Sequence, residues 1–567
     1  MRRIVTVSFI LLCIVAVAPL EAQNQQGNDD SMLPEMDPQD IEIRSQFKAR
    51  FPGLRRQPIL GFEPASRIYK VDPNRIPYLE NQDDAVANLS ISDLSRPEPP
   101  QFTSLQYSEE ISAFARAGLG SFTSPEAQFW GVSRLSDKSY IGGDLNYSSS
   151  NGHLEDQNSS FRSFSANGEF AAKVDEQTRL GFDLGLQNSF NHTIDGDPNL
   201  GTPRKEYGGF NLGAELERNK SGVEGWKLQA GARFYQAELM GVSSAGTTDE
   251  AIYNGSFKKQ WAGSNIQETF SIKLDGKLGD YNTSIVADQW MTGRAGVIYE
   301  RLFGYETDLM VDASVYYGSD IYDDKVYFGP AVKVKQPVAE ALVLTVKAGA
   351  KPYVKTAEQL HGTNRFLGIP ASQGTSNDFR HTYQMYGAAD IEIKITDVGS
   401  LKGGIRYEDI SDRPIFERTE ADIASSRPFY SIRYADVTKA EIFAGASHQI
   451  IPERFWLHGK VYAQAVDEKN GGRVPFTEKY GLNSGFGLRL FQRATLEGWA
   501  DFIGGRQNEE GTDMQDYVLV GGKLDVEITD KIGVYGKVVN LLDQEYQHWE
   551  GFTERPVQIY GGLTLKL

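Results

Sequence analysis

The chain has a single cysteine among its 567 residues, Cys13. It lies inside an apolar run from Ile4 to Leu20 that follows Arg2 and Arg3 and leads into Leu20-Glu21-Ala22, the pattern of a cleavable export signal over residues 1–22. Leu12 stands where a lipid-anchor signal would need a small residue. A mature chain starting at Gln23 then has no cysteine, which excludes disulfides and thiolate metal sites. There is no second run of 18 apolar residues, so helical membrane spans are excluded as well. Positive charge is also scarce. The formal charge of -18 moves to -19 when two Arg and one Glu leave with the signal, a balance that argues against nucleic acid as a partner.

Catalytic patterns are missing too. None of His153, His192, His361, His381, His448, His458 and His548 has a recognisable catalytic spacing. Ser447 precedes His448 in Gly-Ala-Ser-His-Gln, but the second glycine of a nucleophile elbow is absent, and neighbours on a strand point to opposite faces. Gly-Arg-Ala-Gly at 293–296 is followed by no helix that could hold a phosphate. The chain is read as no enzyme, with no catalytic, cofactor or metal residues to name. The acidic stretches 322–324 and 507–513 are read as solvated loop charge, with calcium or the cations of a lipopolysaccharide surface as the alternative.

What is abundant is glycine, 57 residues, together with 30 Phe and 27 Tyr, a mixture that suits many short strands. Residues 31–105 hold ten of the 23 prolines and carry no useful periodicity, so 23–105 is predicted to be an irregular, proline-rich segment. Beyond it the text alternates. Leu180, Phe182, Leu184 and Leu186 alternate with Gly181, Asp183, Gly185 and Gln187, and Phe270, Ile272 and Leu274 do so with Lys273 and Asp275. The repeating segments have the length of a tilted strand crossing a bilayer.

Connections alternate between long and short. Going back from the C-terminus, 541–556, 505–515, 467–478, 409–429 and 351–380 alternate with short turns, and earlier 238–264 precedes a turn at Leu278-Gly279-Asp280. This parity predicts an all-β transmembrane antiparallel β-barrel over 106–567, with an even strand number between 16 and 22 and about 22 favoured; the stretch Tyr281–Phe303 has little turn signal and could lower it. A soluble sandwich or propeller would show no such parity. Unpaired backbone groups are costly in hydrocarbon, so the last strand must close on the first. Lys273, Asp275, Lys523 and Asp525 are then expected to line an aqueous interior.

The chain ends on an alternating strand, with Val557, Ile559, Leu563, Leu565 and Leu567 on one face. Before it come Asn540, Leu541, Leu542, Asp543 and Tyr546, then Trp549, Gly551 and Pro556. This segment resembles the closing segment of TonB-dependent receptors, which end in a strand, an Asn-Leu-Phe-Asp-x-x-Tyr loop and a final strand; Leu542 replaces the usual aromatic. Tyr546 and Trp549 are expected in a membrane-interface girdle, and Asp543 in a turn. The resemblance implies uptake or passage of a solute across the outer membrane, with membrane lipid, lipopolysaccharide and a TonB-type energy-coupling protein or a lipoprotein as partners. The alternative is a non-transporting scaffold or surface receptor that binds a protein or glycan.

Residues 23–105 are too few for the globular plug of such receptors, and 39–45 is a poor energy-coupling box. Residues 40–105 are instead expected to enter the lumen or cover its periplasmic mouth, with Arg55, Arg56 and Arg67 meeting acidic wall. The long segment 351–380, carrying Tyr353, His361, Arg365 and Phe366, is the expected recognition loop.

Overall fold

The computed structural model describes residues 112–567, apart from 155–158, 193–203, 220–223, 241–245, 264–266, 284–286, 305–306, 370–378, 397, 419–429 and 453. The expected export signal, the proline-rich segment and the expected placement of Arg55, Arg56 and Arg67 lie outside the described residues.

Twenty-two strands form one antiparallel sheet. They are β1 (Ala113–Gly120), β2 (Ser124–Ser136), β3 (Ser139–Ser150), β4 (Phe161–Lys173), β5 (Thr178–His192), β6 (Arg204–Asn219), β7 (Gly225–Met240), β8 (Gly246–Ala262), β9 (Glu268–Thr283), β10 (Ala287–Phe303), β11 (Thr307–Ser319), β12 (Asp324–Ala339), β13 (Leu342–Tyr353), β14 (Thr382–Thr396), β15 (Gly399–Arg418), β16 (Tyr430–Ile451), β17 (Phe455–Glu468), β18 (Tyr480–Phe491), β19 (Ala494–Gly504), β20 (Tyr517–Glu527), β21 (Ile532–Val539) and β24 (Gln558–Lys566). Among the described residues a small hairpin, β22 (Gln547–Trp549) with β23 (Phe552–Thr553), and one helix, α1 (Ala357–Thr363), sit in connections. Each barrel strand pairs with its chain neighbours, and β24 pairs with β1 from Lys566↔Phe114 to Tyr560↔Gly120. The sheet is therefore a closed cylinder without an edge, the condition for placing backbone polar groups in hydrocarbon.

Side chains divide by parity. Phe182, Leu184 and Leu186 are about half exposed on the outside, as are Ile405, Ile442, Ile559 and Leu563. Inward residues are polar and paired: Lys273 and Arg294 meet Asp275, Arg294 also meets Asp312, and Lys523 lies 2.6 Å from Asp525. The expected interior residues are all there. Such a pattern puts lipid outside and water inside.

Three boundaries differ from the expectation. Residues 246–262 form β8 rather than part of a long loop, and their alternation is hard to read because the strand's upper half carries outward Thr247 and Asp249. Leu278-Gly279-Asp280 lies within β9 and is no turn. Gly279 is opposite Trp290, and the space left by its missing side chain holds the indole. Residues 409–418 extend β15 past a bulge between Ile410 and Arg413, carrying Phe416 above the membrane belt into the loop layer.

Candidate functional site

At the long-loop end of the barrel, residues 354–369 fold inward across the mouth, and residues 379–381 lead into β14. Thr356 caps α1 by accepting the Gln359 N–H (3.2 Å), while the Gln359 side chain accepts the Thr356 N–H (3.1 Å), a reciprocal capping box. The helix is docked on one wall. Its Ala357 N–H donates to Glu250 of β8 (2.8 Å), and Glu358 receives Arg233 of β7 (3.0 Å) and Gln187 of β5 (2.6 Å). Past the helix, Lys205 of β6 donates to the carbonyls of Arg365 (3.0 Å) and Leu367 (2.9 Å).

The same segment then reaches the far wall. The Tyr430 N–H donates to Phe366 O (3.1 Å), and the Gly368 N–H to Tyr430 O (2.8 Å). Phe366 stacks on Phe552 of the last loop with ring centroids 3.5 Å apart, and Arg365 pairs with Glu554 at 2.9 Å. Strands β6 and β16 are ten places apart in a ring of 22, close to diametrically opposed. The segment is thus a lid that spans the mouth rather than a loop projecting from it. Its return to the barrel is fixed at His381, whose Nδ1 lies 2.9 Å from Asp320 and whose Nε2 lies 3.0 Å from the Thr292 hydroxyl.

An aromatic layer seals the lid. Trp549 touches Tyr430, Phe476 and Phe416 at 5.0, 5.2 and 5.3 Å, and all four are buried. The interface-girdle reading of Trp549 and Tyr546 is therefore corrected: both are buried in the loop layer, Tyr546 against Tyr517 at 4.6 Å. A ring with a polar tip suits either setting, and here the external loops supply a core that a strand end would lack. Asp543 does serve a turn, with φ 52° and a carboxylate that accepts the Val557 N–H (2.9 Å).

Burial sets the lid's electrostatics. Lys205 is wholly buried, which pushes its ammonium well below its ordinary range. His361 is held well below 6.5 by burial and by the Lys205 charge, so it is neutral. Glu250 stands above the membrane belt, beside outward Asp249. Burial pushes its carboxyl up to about 7, while the Ala357 and Glu358 N–H groups pull it back. Burial would raise Asp320, but its bonds from His381 and from the loop N–H groups bring it down to about 2.

Of the expected recognition residues, the structure brings His361, Arg365 and Phe366 into the lid and leaves Tyr353 at the end of β13 below it. Ser447 and His448 sit on β16 with no acid partner among the described residues to complete a triad, and His448 packs against Gly399. Among the described residues no group of three or more acidic, His or Cys side chains could hold a metal. The acidic stretches are instead engaged: Asp323 with Lys325, Glu509 with Arg418, and Asp513 with Gln507. Sequence reasoning missed Lys205, Glu250 and Arg233, which look like ordinary strand charges. The helix did have a signal, the Thr356-x-x-Gln359 spacing.

Phe366→Ala is expected to cost the lid about 3 kcal/mol by emptying the stack on Phe552. Limited proteolysis of the folded barrel should then cut within 354–381 faster than in the parent, with the barrel strands still protected.

No known protein-family model matches the chain, and no curated protein matches it in sequence. Solved structures do match in fold. The ferric-catecholate import receptor Fiu from E. coli K12 aligns with TM-score 0.60 at 11% identity, covering 81% of this chain and 82% of that one. The copper transporter OprC aligns at 0.64 and 11%, over 80% of each chain. The ferric yersiniabactin uptake receptor FyuA from Yersinia pestis aligns at 0.61 and 10%, again over 80% of each. The chain thus shares the 22-stranded barrel fold of outer-membrane metal and siderophore receptors.

Proposed function

We propose that the protein is an outer-membrane barrel for uptake or passage of a solute, closed at its outer mouth by residues 354–369. The observation that carries this reading is the lid's set of polar attachments. It is held by Lys205, Glu250, Arg233, Gln187, the Arg365–Glu554 and His381–Asp320 pairs and the backbone bonds to Tyr430, all of which water can replace once the lid lifts, and by one aromatic layer. A closure of that kind can open. The likeness to metal and siderophore receptors supports passage of a solute in general and gives no cargo for this chain. The long-loop end faces outward, where the lid meets lipopolysaccharide, and the short-turn end faces the periplasm, where a TonB-type energy-coupling protein or a lipoprotein would engage.

The burial of the aromatic layer favours one second reading, a scaffold or surface receptor whose barrel never opens. Ion flux in planar bilayers, with and without a periplasmic energy-coupling protein, separates the two. Current under either condition is expected. Silence under both, in a barrel shown to be inserted, would give the scaffold reading its case.

A further inference from the structure

We propose that the lumen wall at the barrel's closing seam binds a small oxyanion of the phosphate class. The proposal rests on the passage reading above and adds a substrate class to it. Where β24 closes on β1, the inward positions Gly562 and Gly118 are directly opposite one another, and a side chain at either would collide with the Tyr535 ring. Tyr535 therefore lies across the seam from β21 and donates to Glu126 of β2 (2.6 Å). Lys537, the next inward residue of β21, reaches the same carboxylate (2.5 Å). A cavity of about 220 Å³ opens beside this crossing, and its charged lining is Arg116, Lys523 and Lys537 with Glu126 as the one carboxylate.

Register crowds the cations. Lys523 of β20 and Lys537 of β21 are directly opposite one another, a position in which like charges repel. Glu126 holds Lys537, while Lys523 has Asp525 at 2.6 Å and Glu497 at 3.9 Å, neither of which borders the cavity. An ammonium carries three N–H donors, so both lysines keep some for a ligand. Arg116 is less engaged still. Its guanidinium sits 5.2 Å from the centre of the Tyr535 ring and donates to the neutral Gln128 amide (2.9 Å), and it has no carboxylate partner among the described residues. Arg294, elsewhere on the inner wall, is shared between Asp275 and Asp312.

Neutral donors complete the set. The inward row through Arg116 continues as Gln128, Asn146 and Ser165 on β2, β3 and β4, and the adjacent row runs from Glu126 to Ser148 and Ser163. Strand spacing places neighbours in a row about 5 Å apart and the two rows about 7 Å apart. The Ser148 and Ser165 hydroxyls make no hydrogen bond among the described residues. The cavity is thus rich in free donors, while its one carboxylate already accepts from Tyr535 and Lys537. A ligand made of acceptors fits such a lining. A phosphate group has three or more oxygens to share among Arg116, the two lysines and the serines, and charge-assisted bonds of this kind are the strong ones. Bound between the lysines, it also offsets their repulsion, which a neutral solute would leave in place.

The test uses the full chain in a nonionic detergent and a phosphate-free chloride buffer, read by isothermal titration calorimetry. Sodium phosphate and glycerol 3-phosphate are the probes, because free phosphate and a phosphate ester present the same head; sodium acetate at matched ionic strength is the control. Saturable binding of a phosphate probe is expected, and the tighter of the two identifies the source. Arg116→Gln removes the cation that has no carboxylate partner and is expected to weaken binding about tenfold or more. If that variant does not fold, Ser148→Ala/Ser165→Ala, which alters no charge, is expected to weaken binding several-fold. No saturable heat with either probe, acetate bound as tightly as phosphate, or unchanged affinity in the variants overturns the site. Bilayer currents separate this from the passage reading. Phosphate is expected to reduce the chloride current of the parent and to reduce that of Arg116→Gln far less. Chloride current that phosphate does not reduce sinks the site and leaves passage standing, whereas phosphate binding by an inserted barrel that never conducts supports the site and sinks passage.

Discussion

Lys205→Glu is expected to unlatch the lid. The parent ammonium is fully buried and donates to two lid carbonyls, Arg365 O and Leu367 O. Hydrogen bonds from a charged donor are worth about 1.5–3 kcal/mol each, and a carboxylate in the same place would face two carbonyl oxygens with nothing to donate. Losing both bonds costs roughly 4 kcal/mol or more, a thousandfold shift toward the open mouth. Lys205→Met is the informative contrast. It removes the desolvation penalty together with the bonds, so the two changes largely offset and the lid is expected to stay mostly shut. Tryptic cleavage after Arg365 and Arg380, followed by mass spectrometry on the intact barrel, reads the difference, and single-channel conductance gives an independent measure. If the Glu variant is cut and conducts like the parent, Lys205 does not hold the lid.

That latch marks the limit of what the sequence discloses. The barrel is legible because its two rules are local: alternation within a strand decides which side chains meet lipid, and connection length decides which end is which. Phe182, Leu184 and Leu186 announce their outward face without any knowledge of their neighbours. The lid follows no such rule. Lys205 and Leu367 are joined only because the connection after β13 crosses the mouth, meeting β6 on one side and Tyr430 of β16, ten places round the ring, on the other. The long loop was recognisable as important, and His361, Arg365 and Phe366 do belong to the site, but nothing in the segment says that it folds inward. Trp549 was placed at the wrong boundary for the same reason: its partners Tyr430 and Phe476 come from other loops and strands. Gly279 shows the converse error, a glycine read as punctuation where its work is to leave room for Trp290.

The lid of the parent protein is expected to respond little to acidification between pH 6.5 and 4.5, because two buried groups at α1 pull in opposite directions. Glu250 titrates near 7 in the closed lid and near 4.5 once released to water. Closure therefore binds a proton more tightly at this site. Its contribution is fully present below pH 4.5 and is lost as pH rises through 7, about 1.4 kcal/mol per pH unit within that window. His361 is neutral in the closed lid, held well below 6.5, and it regains 6.5 when released. Its contribution is present above pH 6.5 and is lost as pH falls below it, at the same slope. Where the windows overlap, the slopes cancel. Single variants should expose them. Glu250→Gln leaves only His361, so its lid should loosen as pH falls from 6.5 to 4.5; His361→Leu leaves only Glu250, so its lid should tighten by roughly thirtyfold over the same range. The neighbouring charges Glu358 and Arg233 are unchanged in both variants, which keeps the comparison clean. Rates of tryptic cleavage are confounded by the enzyme's own pH profile. A fluorophore attached at a cysteine introduced into the lid, with its anisotropy followed against pH, avoids that difficulty. Slopes of the same sign in the two variants would mean that Glu250, at the start of α1, and His361, in its last turn, do not oppose one another in the closed lid.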